Sequence, residues 1–171
     1  MQEINLQGSK VLVTGSARGL GESFARALVA AGAQVTISDV LHERGQALAA
    51  ELGPLAAYVP LDLLDPASIR AGVDAAATAM GGLTGLINNA AGNFISRTED
   101  LTIRGFDAIS NIVFRGTFYM THDIGKRWIA EKRRGNVCSI LTTWVWNGGP
   151  FVVPSAMSKA GVNVMTQSLA I

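Results

Sequence analysis

The amino-acid sequence predicts an α/β domain, in which a doubly wound parallel sheet carries helices on both of its faces. Three observations predict this fold. Short apolar runs alternate with amphipathic stretches, a glycine-rich turn follows the first apolar run, and polar residues follow several of the later runs. Strands that alternate with helices form parallel sheets, because each crossover between parallel strands carries a helix back over one face of the sheet.

The first two strands and helices occupy the opening third of the chain. KVLVTG (10–15) is a short apolar run ending in glycine, which predicts a buried strand. GESFARALVAAG (21–32) has apolar residues at helical spacing and ends in glycine, a common helix terminus. AQVTISDV (33–40) predicts the second strand, and LHERGQALAAEL (41–52) predicts the second helix, which Gly53-Pro54 closes.

The third and fourth strands enclose one helix. AAYVPLD (56–62) predicts the third strand. Asp65-Pro66 then opens a helix that extends to about Met80, since proline is favoured in the first helical turn. LTGLINNA (83–90) predicts the fourth strand.

The last part of the chain predicts a helix, a strand and a further helix. Residues 111–134 contain a long amphipathic helix, GNVCSILTT (135–143) predicts the fifth strand, and SAMSKAGVNVMTQSLA (155–170) predicts the final helix. TTWVWNGGP, at the end of the fifth strand, is interpreted as a loop. No internal repeat or linker interrupts this order, so residues 1–171 are predicted to form a single domain.

The composition excludes several classes of protein. Of the 171 residues, 49% are hydrophobic and 16% are charged, which is enough apolar material for a core and argues against disorder. A formal net charge of +1 leaves no broad basic field for nucleic acid or an anionic membrane. No apolar signal core or membrane-span pattern is found, so a cytoplasmic protein is expected.

The cysteine and the histidines predict no metal site. Cys138 stands alone in NVCSIL, which excludes a disulfide framework and a cysteine-rich metal site. We predict a buried strand thiol there, with a reactive thiol as the alternative. His42 and His122 are far apart in sequence and are interpreted as surface or packing residues.

TGSARGLG, from Thr14 to Gly21, joins the first strand to the first helix. Gly15 permits a tight turn, while Gly19 and Gly21 permit close approach of the backbone to a phosphate and of the helix to the sheet. The unpaired N–H groups of a helix N-terminus favour a pyrophosphate. This position predicts a Rossmann-type dinucleotide site, with a merely tight βα turn as the alternative.

Asp39 ends the second predicted strand, about twenty residues after the glycines. A carboxylate at this point accepts hydrogen bonds from an adenosine ribose diol and repels a 2′-phosphate. The sequence therefore favours NAD(H), and NADP(H) remains the alternative because Arg18 lies in the same turn and can hold a phosphate. A solvated aspartate at a strand end is the other interpretation of Asp39.

Polar residues also follow the third and fourth strands. Asp62-Leu63 follows the third strand and NNAAG, from Asn88 to Gly92, follows the fourth. Both segments lie at carboxyl ends of strands, where an open α/β sheet binds its ligand. We expect Asn88 or Asn89 to tie backbone groups of neighbouring strands together.

These motifs, in this order, resemble the short-chain dehydrogenase/reductase family from about Gly8 to the end of the chain. The resemblance implies that Asp39 marks a preference for NAD, that Asp62 contacts adenine, and that Lys159 of SKAG holds the nicotinamide ribose. The cofactor-binding residues that it implies are Gly15, Ser16, Arg18, Gly19, Leu20, Gly21, Asp39, Asp62, Leu63, Asn89, Ala90 and Lys159. It also implies a homodimer or homotetramer, because family members commonly pair the helices near 111–133 and from 155 across subunits.

The catalytic pattern departs from the usual Asn, Ser, Tyr and Lys tetrad of that family. The matching positions carry Val113, Thr142, Ser155 and Lys159, so only the lysine is retained. Thr142 still supplies a hydroxyl. Ser155 cannot replace tyrosine as an acid, because a phenol has a pKa of about 10 that a nearby ammonium lowers, and an aliphatic hydroxyl is far weaker.

The later half of the chain resembles the 2,4-dienoyl-CoA reductases, an atypical branch that also lacks this tyrosine. NNAAGNFIS (88–96) and GPFVVPSAMSKAGV (149–162) carry the resemblance. It implies reduction of a conjugated acyl thioester, in which Asn93 donates to the thioester oxygen while Ser155 and Lys159 order the nicotinamide. Hydride goes to carbon and water protonates carbon, so no strong side-chain acid is required.

Two features separate the chain from that branch. Trp144 stands where the mitochondrial type has a donor tyrosine, and an indole N–H differs from a phenol in shape and reach. The branch normally uses NADPH, whereas Asp39 favours NADH. Two alternatives explain this difference. Either the cofactor preference of this chain has diverged from that of the branch, or the chain combines sequence from two sources that meet near NNAAG.

Simpler interpretations of the same residues stay open. Ser155 follows Pro154 and is also a candidate helix N-cap. Lys159 is alternatively a surface helix lysine, and Asn93 an ordinary loop residue. Trp144 and Trp146 either line an apolar substrate pocket or pack on their own loop.

The chain is expected to be incomplete at its C-terminus, because the family carries further strands after the final predicted helix. The main functional hypothesis is hydride transfer between a nicotinamide cofactor and an enoyl or carbonyl compound, including acyl-CoA. The alternative is a nucleotide-binding homologue without turnover that acts as a sensor or partner subunit. An inert fragment is the third hypothesis.

Overall fold

The computed structural model describes residues 4–171 and contains a five-stranded parallel sheet in the order β3-β2-β1-β4-β5. The strands are β1 (Lys10–Thr14), β2 (Gln34–Asp39), β3 (Ala56–Pro60), β4 (Gly85–Asn88) and β5 (Asn136–Ser139). The order reverses between β1 and β4, which makes this point the switch point at which such sheets bind ligands. The predicted α/β fold is therefore confirmed.

Seven α-helices accompany the sheet within the described residues. They are α1 (Gly19–Ala30), α2 (His42–Leu52), α3 (Pro66–Met80), α4 (Ile103–Ser110), α5 (Thr117–Ala130), α6 (Trp144–Asn147) and α7 (Val153–Leu169). A π-helical segment, Asn111–Gly116, joins α4 to α5. Asp65 accepts from the Ala67 N–H as the N-cap of α3, and Gly81 ends that helix in the left-handed conformation.

Alternation along β1 divides the core into two layers. Leu12 belongs to the cluster formed with α3 and α5, which includes Ile124 and Trp128. Val11 and Val13 belong to the opposite cluster, formed with α1, α2 and β2. Leu12 and Val13 are both fully buried, so the sheet is covered on both faces at its centre.

The structure differs from the sequence prediction between Ile103 and Gly116. The prediction began a helix near residue 111, whereas helical structure begins at Ile103 and passes through the π-helical segment. At Gly116 a Cβ would approach the Leu63 Cβ to 2.8 Å, so the glycine allows this segment to lie against the loop after β3. This tertiary contact has no counterpart in local periodicity.

Two further predictions were wrong in detail. TTWVWNGGP contains the short helix α6 rather than a continuous loop. Cys138 is exposed rather than buried, because β5 is the edge strand and its side chains at 136–138 lack cover. Among residues 4–171, no helix has both the length and the apolar character needed to cross a bilayer.

Candidate functional site

The three glycines of the turn between β1 and α1 differ in backbone conformation and in the space around them. At Gly21 a Cβ would lie 2.6 Å from Asn89 Nδ2 and 2.7 Å from the Ser16 Cα, so a side chain would separate helix from sheet. Gly15 has φ +63°, and its Cβ would lie 2.7 Å from the Ala90 Cα. Gly19 has φ +61° but nothing within 4 Å of that position, which leaves open space beside the backbone.

This open turn fits a dinucleotide pyrophosphate. The first main-chain bond of α1 runs from the Glu22 N–H to the Arg18 carbonyl, so the N–H groups of residues 19–21 precede the helical ladder. Leu20 and Arg18 are exposed there. Free N–H groups at a helix N-terminus, beside a glycine without side-chain neighbours, are the features that hold a phosphate.

Asp39 lies at the end of β2 and faces the same turn. Its Oδ2 accepts from the Ala17 N–H at 3.0 Å, and its Oδ1 accepts from the Leu41 N–H at 3.1 Å. The carboxylate is therefore held between the turn of α1 and the start of α2. In this position it can accept from a ribose diol and oppose a 2′-phosphate.

Asn89 ties the loop after β4 to the glycine turn. Its side-chain amide donates to the carbonyls of Thr14 and Gly15, at 3.0 and 2.9 Å. The Thr14 hydroxyl in return accepts from the N–H groups of Asn89 and Ala90, both at 3.1 Å. The expectation that Asn88 or Asn89 connects neighbouring strands is confirmed. Asn88 is buried and donates to Thr121 Oγ1 at 3.0 Å.

Ser16 is also used inside the protein. Its hydroxyl donates to the Val13 carbonyl at 2.7 Å and accepts from the Ser38 N–H at 2.9 Å. Its own N–H donates to the Ser38 carbonyl at 3.2 Å. Ser16 thus joins β1 to β2 beneath the turn, and it shapes the predicted phosphate site from below.

Asp62 and Leu63 occupy the loop after β3. Asp62 Oδ1 accepts from the Leu64 N–H at 2.9 Å, and the Asp62 N–H donates to Ser68 Oγ at 2.9 Å. Leu63 is buried in the core cluster with α3 and α5. Asp62 is therefore the half-exposed member of this pair, at the edge where the family resemblance implies a contact with adenine.

Lys159 and Ser155 lie one helical turn apart on α7 and are both buried, with exposed fractions of 6% and 5%. Lys159 Nζ donates to the carbonyl of Ile140, just beyond β5. Burial lowers the pKa of Lys159 below its ordinary value. Neither is a surface residue. Ser155 is also not an N-cap, because Val152 holds that position and α7 begins at Val153.

The other predicted catalytic residues lie in loops near α7. Asn93 is exposed in the loop after β4, and Thr142 is half-buried between β5 and α6. The Ser96 N–H donates to the Phe151 carbonyl at 3.1 Å, which joins the Asn93 loop to the loop before α7. The structure thereby brings the segments of Asn93 and Ser155 together.

The two tryptophans have different environments. A Cβ at Gly149 would lie 2.7 Å from Trp144 Cδ1 and 2.8 Å from its Nε1, so Trp144 packs on its own loop. Trp146 is 75% exposed. The packing interpretation therefore describes Trp144, and Trp146 lies at the outer surface of α6.

Sequence reasoning missed Tyr58 and His42, which lie beside Asp39. The Tyr58 hydroxyl donates to the Asp39 carbonyl at 2.7 Å, and His42 Nδ1 lies 2.8 Å from the same hydroxyl. In the sequence Tyr58 is only an alternating residue of β3. Its position becomes informative when the register pairs Tyr58 with Ile37 and Pro60 with Asp39.

Two concavities of the surface lie away from these residues. Two surface cavities, of about 700 and 850 Å³, flank β5. Trp128 and Leu169 line the first, and Leu6 and Arg134 line the second. None of the predicted site residues lines either cavity. The predicted cofactor residues other than Lys159 instead lie at or after the carboxyl ends of β1 to β4, and this edge is the candidate site. Within residues 4–171, no cluster of potential metal ligands occurs.

Comparison with known proteins agrees with this geometry. The profile of the short chain dehydrogenases matches residues 9–171. An uncharacterized oxidoreductase of Caenorhabditis elegans is 42% identical over 97% of this chain and 55% of its own length. A probable 2,4-dienoyl-CoA reductase of the same organism is 38% identical, over 96% of this chain and 55% of its own length.

Solved structures share the fold. A 3-ketoacyl-(acyl-carrier-protein) reductase from Brucella melitensis, complexed with NADH, aligns with a TM-score of 0.91 and 28% identity over 97% of this chain and 70% of its own. A gluconate 5-dehydrogenase from Burkholderia cenocepacia, in complex with NADP and tartrate, aligns with a TM-score of 0.91 and 26% identity, over 98% and 66%. The chain spans about half the length of the curated relatives it matches. By profile, sequence and fold, this chain belongs to the short-chain dehydrogenase family of oxidoreductases.

Proposed function

We propose that the protein transfers hydride between NAD(H) and a conjugated acyl thioester, with other enoyl or carbonyl compounds as related substrates. The observation that carries this proposal is the buried pair of Ser155 and Lys159 on one face of α7, with serine where a tyrosine acid would stand. An amine and a hydroxyl in this position can orient a nicotinamide and polarise an oxygen. The hydroxyl of Ser155 is not a strong proton donor, because an aliphatic hydroxyl is a far weaker acid than a phenol.

The missing acid favours a thioester over a ketone. Reduction of a ketone places negative charge on the carbonyl oxygen, which must then receive a proton. Reduction of a conjugated thioester at carbon places the charge on an enolate oxygen, and water can protonate the carbon afterwards. Hydrogen-bond donors suffice to stabilise that oxygen.

Some residues of this chain would bind the cofactor, and others would polarise the thioester oxygen of the substrate. When bound, the reduced nicotinamide supplies hydride to the substrate carbon. Lys159 would hold the nicotinamide ribose, while Asn93 and Ser155 would donate hydrogen bonds to the thioester oxygen. Thr142, half-buried at the end of β5, offers a further hydroxyl at the same edge. The bond between Ser96 and Phe151 supports the approach of the Asn93 loop to α7.

Asp39 supports NADH as the preferred cofactor. Its carboxylate is fixed by two main-chain N–H groups and faces the turn that fits a pyrophosphate. A 2′-phosphate in this position would meet a like charge at short range. Arg18 is exposed in the same turn, so NADPH is the competing ligand in any binding measurement.

Steady-state kinetics with purified protein test the proposal. NADH oxidation is followed with a 2,4-dienoyl-CoA, a 2-enoyl-CoA and a simple ketone. We expect turnover to be fastest with a thioester. Asn93→Ala should lower kcat by about tenfold to a thousandfold, the range for loss of one oxyanion donor, with little change in the Kd for NADH.

Asn147→Ala is the matched control, because Asn147 is an exposed asparagine at the end of α6. It should leave both constants unchanged. Turnover that survives Asn93→Ala at the wild-type rate would remove Asn93 from the site. Binding of NADH without oxidation by any of the three substrates would favour the sensor or partner-subunit alternative.

We also propose a homodimer or homotetramer. The faces of α5 and α7 expose a set of apolar side chains to solvent, among them Phe118, Ile129, Met157 and Val164. Large exposed apolar surfaces of this kind are typical of protein interfaces.

A further inference from the structure

We propose that Tyr58 and His42 act as positioning residues that hold Asp39 and thereby set the discrimination between NADH and NADPH, an inference that rests on the proposed function. Neither residue belongs to the motifs that identify the family in this chain. Tyr58 bonds to the main-chain carbonyl of Asp39 and His42 bonds to Tyr58, and both lie outside the glycine turn. Their role is therefore one of orientation, exerted through Asp39.

His42, Tyr58 and the Asp39 carbonyl form a series of two hydrogen bonds, and the geometry determines which group donates in each. Tyr58 has one hydroxyl proton, and its bond of 2.7 Å to the Asp39 carbonyl uses that proton because a carbonyl can only accept. The contact of 2.8 Å between His42 Nδ1 and the Tyr58 hydroxyl is then donated by the histidine. The structure thus assigns a proton to Nδ1 of His42.

The environment of Tyr58 keeps its hydroxyl in the donating form. Burial, and secondarily the charge of Asp39, raise the pKa of Tyr58 above its ordinary value. The ring packs directly on Gly45, where an added Cβ would overlap the ring carbons Cε2 and Cδ2. His42 meets the same ring edge-on, with centroids 6.2 Å apart and planes at 79°. The phenol, which extends from β3, is therefore packed against the first turns of α2.

Asp39 is consequently fixed at its main chain as well as at its carboxylate. Besides the bond from Tyr58, its carbonyl accepts a longer bond of 3.3 Å from the Leu61 N–H. The carbonyl stands at the start of the turn from β2 to α2, whose Leu41 N–H holds Oδ1. Loss of the Tyr58 hydroxyl would free this turn and let the carboxylate shift.

A shifted carboxylate weakens discrimination in two ways. Hydrogen bonds to a ribose diol require a fixed acceptor geometry, so NADH loses affinity. Repulsion of a 2′-phosphate falls with distance, so NADPH loses less or gains. The ratio of the two affinities is thus the quantity that Tyr58 and His42 control.

Calorimetric titration of NADH and NADPH into matched variants tests this inference. Tyr58→Phe should reduce the preference for NADH by about fivefold, as expected for one lost hydrogen bond. Tyr119→Phe is the control, because Tyr119 on α5 accepts from Arg115 Nε and has no contact with Asp39. It should leave the preference unchanged.

A second pair of variants keeps the inference falsifiable if Tyr58→Phe fails to fold. His42→Leu should reduce the preference, while His42→Asn should retain it, because the asparagine Nδ2 can donate from a position similar to that of Nδ1. A merely structural role would weaken both cofactors equally and leave the ratio constant. Suppose that wild-type protein prefers NADH and that the ratio of the two affinities stays constant in Tyr58→Phe and in His42→Leu. That result would overturn this inference and leave the proposed function intact.

The affinities of wild-type protein for NADH and NADPH show whether this inference alone fails or the proposed function fails with it. Wild-type protein that binds neither cofactor, or that prefers NADPH, would refute the assignment of NADH and this inference with it. Preference for NADH in the wild type, lost in Tyr58→Phe and His42→Leu and kept in Tyr119→Phe and His42→Asn, would support both.

Discussion

Lys159 places an amine in the interior next to a main-chain carbonyl rather than a carboxylate. Its exposed fraction is 6%, and the ion pairs within residues 4–171 do not include it. Burial without an opposite charge disfavours the ammonium, which explains the lowered pKa of Lys159. A residue that opposes folding in this way is typical of a functional site.

The lowered pKa predicts a definite dependence of stability on pH. Between the folded pKa of Lys159 and the unfolded value of about 10.4, the unfolded chain binds more protons, so the free energy of unfolding rises with pH. Lys159→Met should therefore raise Tm by a few degrees at neutral pH, and this gain should shrink as pH rises. Thermal unfolding across pH measures it.

Lys126→Met provides the comparison, because Lys126 is an exposed lysine on α5. It should change Tm little at any pH. A difference between Lys159→Met and wild type that stays constant from neutral to alkaline pH would contradict the argument.

The turn from β1 to α1 contains two glycines that are required for different reasons. Gly21 leaves no space for a side chain, whereas Gly19 adopts a positive φ. Gly21→Ala should destabilise the protein by about 3 kcal/mol or more, because its Cβ has no space beside Asn89 and Ser16. Gly19→Ala should cost about 1 to 2 kcal/mol, since it strains a positive φ without a clash. Urea unfolding of both variants measures the difference, and equal losses would show that packing at Gly21 is unimportant.

Within residues 4–171, β5 lies at the edge of the sheet, and this position predicts a reactive thiol in this chain. Cys138 is exposed on this strand, and β5 pairs only with β4 among the described strands. A thiol reagent should label the folded 171-residue chain at one site per molecule, at a rate close to that of the unfolded chain. Protection until unfolding would mean that β5 is covered, for example by a second subunit.

The sequence predicts most elements because their signals are local. Alternating apolar runs identify all five strands, and glycine and proline mark the ends of α1 and α3. The π-helical segment was missed because it depends on Gly116 meeting Leu63 across the fold. The exposure of Cys138 was missed for a related reason, since an apolar strand does not reveal whether it is central or at the edge.

In the candidate site, too, local motifs could be predicted from the sequence, and contacts between distant strands could not. Glycine spacing and Asp39 point to the cofactor edge because they belong to one strand–helix–strand unit. Tyr58 could not be predicted, because its link to Asp39 requires the register of β2 with β3. The bond between Ser16 and Ser38 was likewise hidden, since Ser38 lies on β2 and only the sheet brings it to Ser16.

For the whole molecule, the exposed apolar faces of α5 and α7 predict self-association. Phe118→Glu should shift the mass measured by light scattering toward the monomer, because it places a charge on that face. Ile103→Glu, on α4 and 82% exposed, is the control and should leave the mass unchanged. A wild-type protein that is already monomeric at high concentration would refute the proposed dimer or tetramer.

The bonds between Thr14 and Asn89 have a consequence for the speed of ligand capture. Two bonds join Thr14 to Asn89, and two more run from Asn89 to Gly15 and from Ala90 to Thr14. These four bonds, of 2.9 to 3.1 Å, join the ends of β1 and β4 without a ligand. A site already in its binding-competent arrangement loses no affinity to a rare open state. We therefore predict that diffusional encounter, rather than a slow rearrangement of the turn, would limit how fast the proposed nucleotide binds. Differences among nucleotides would then lie in how quickly each dissociates.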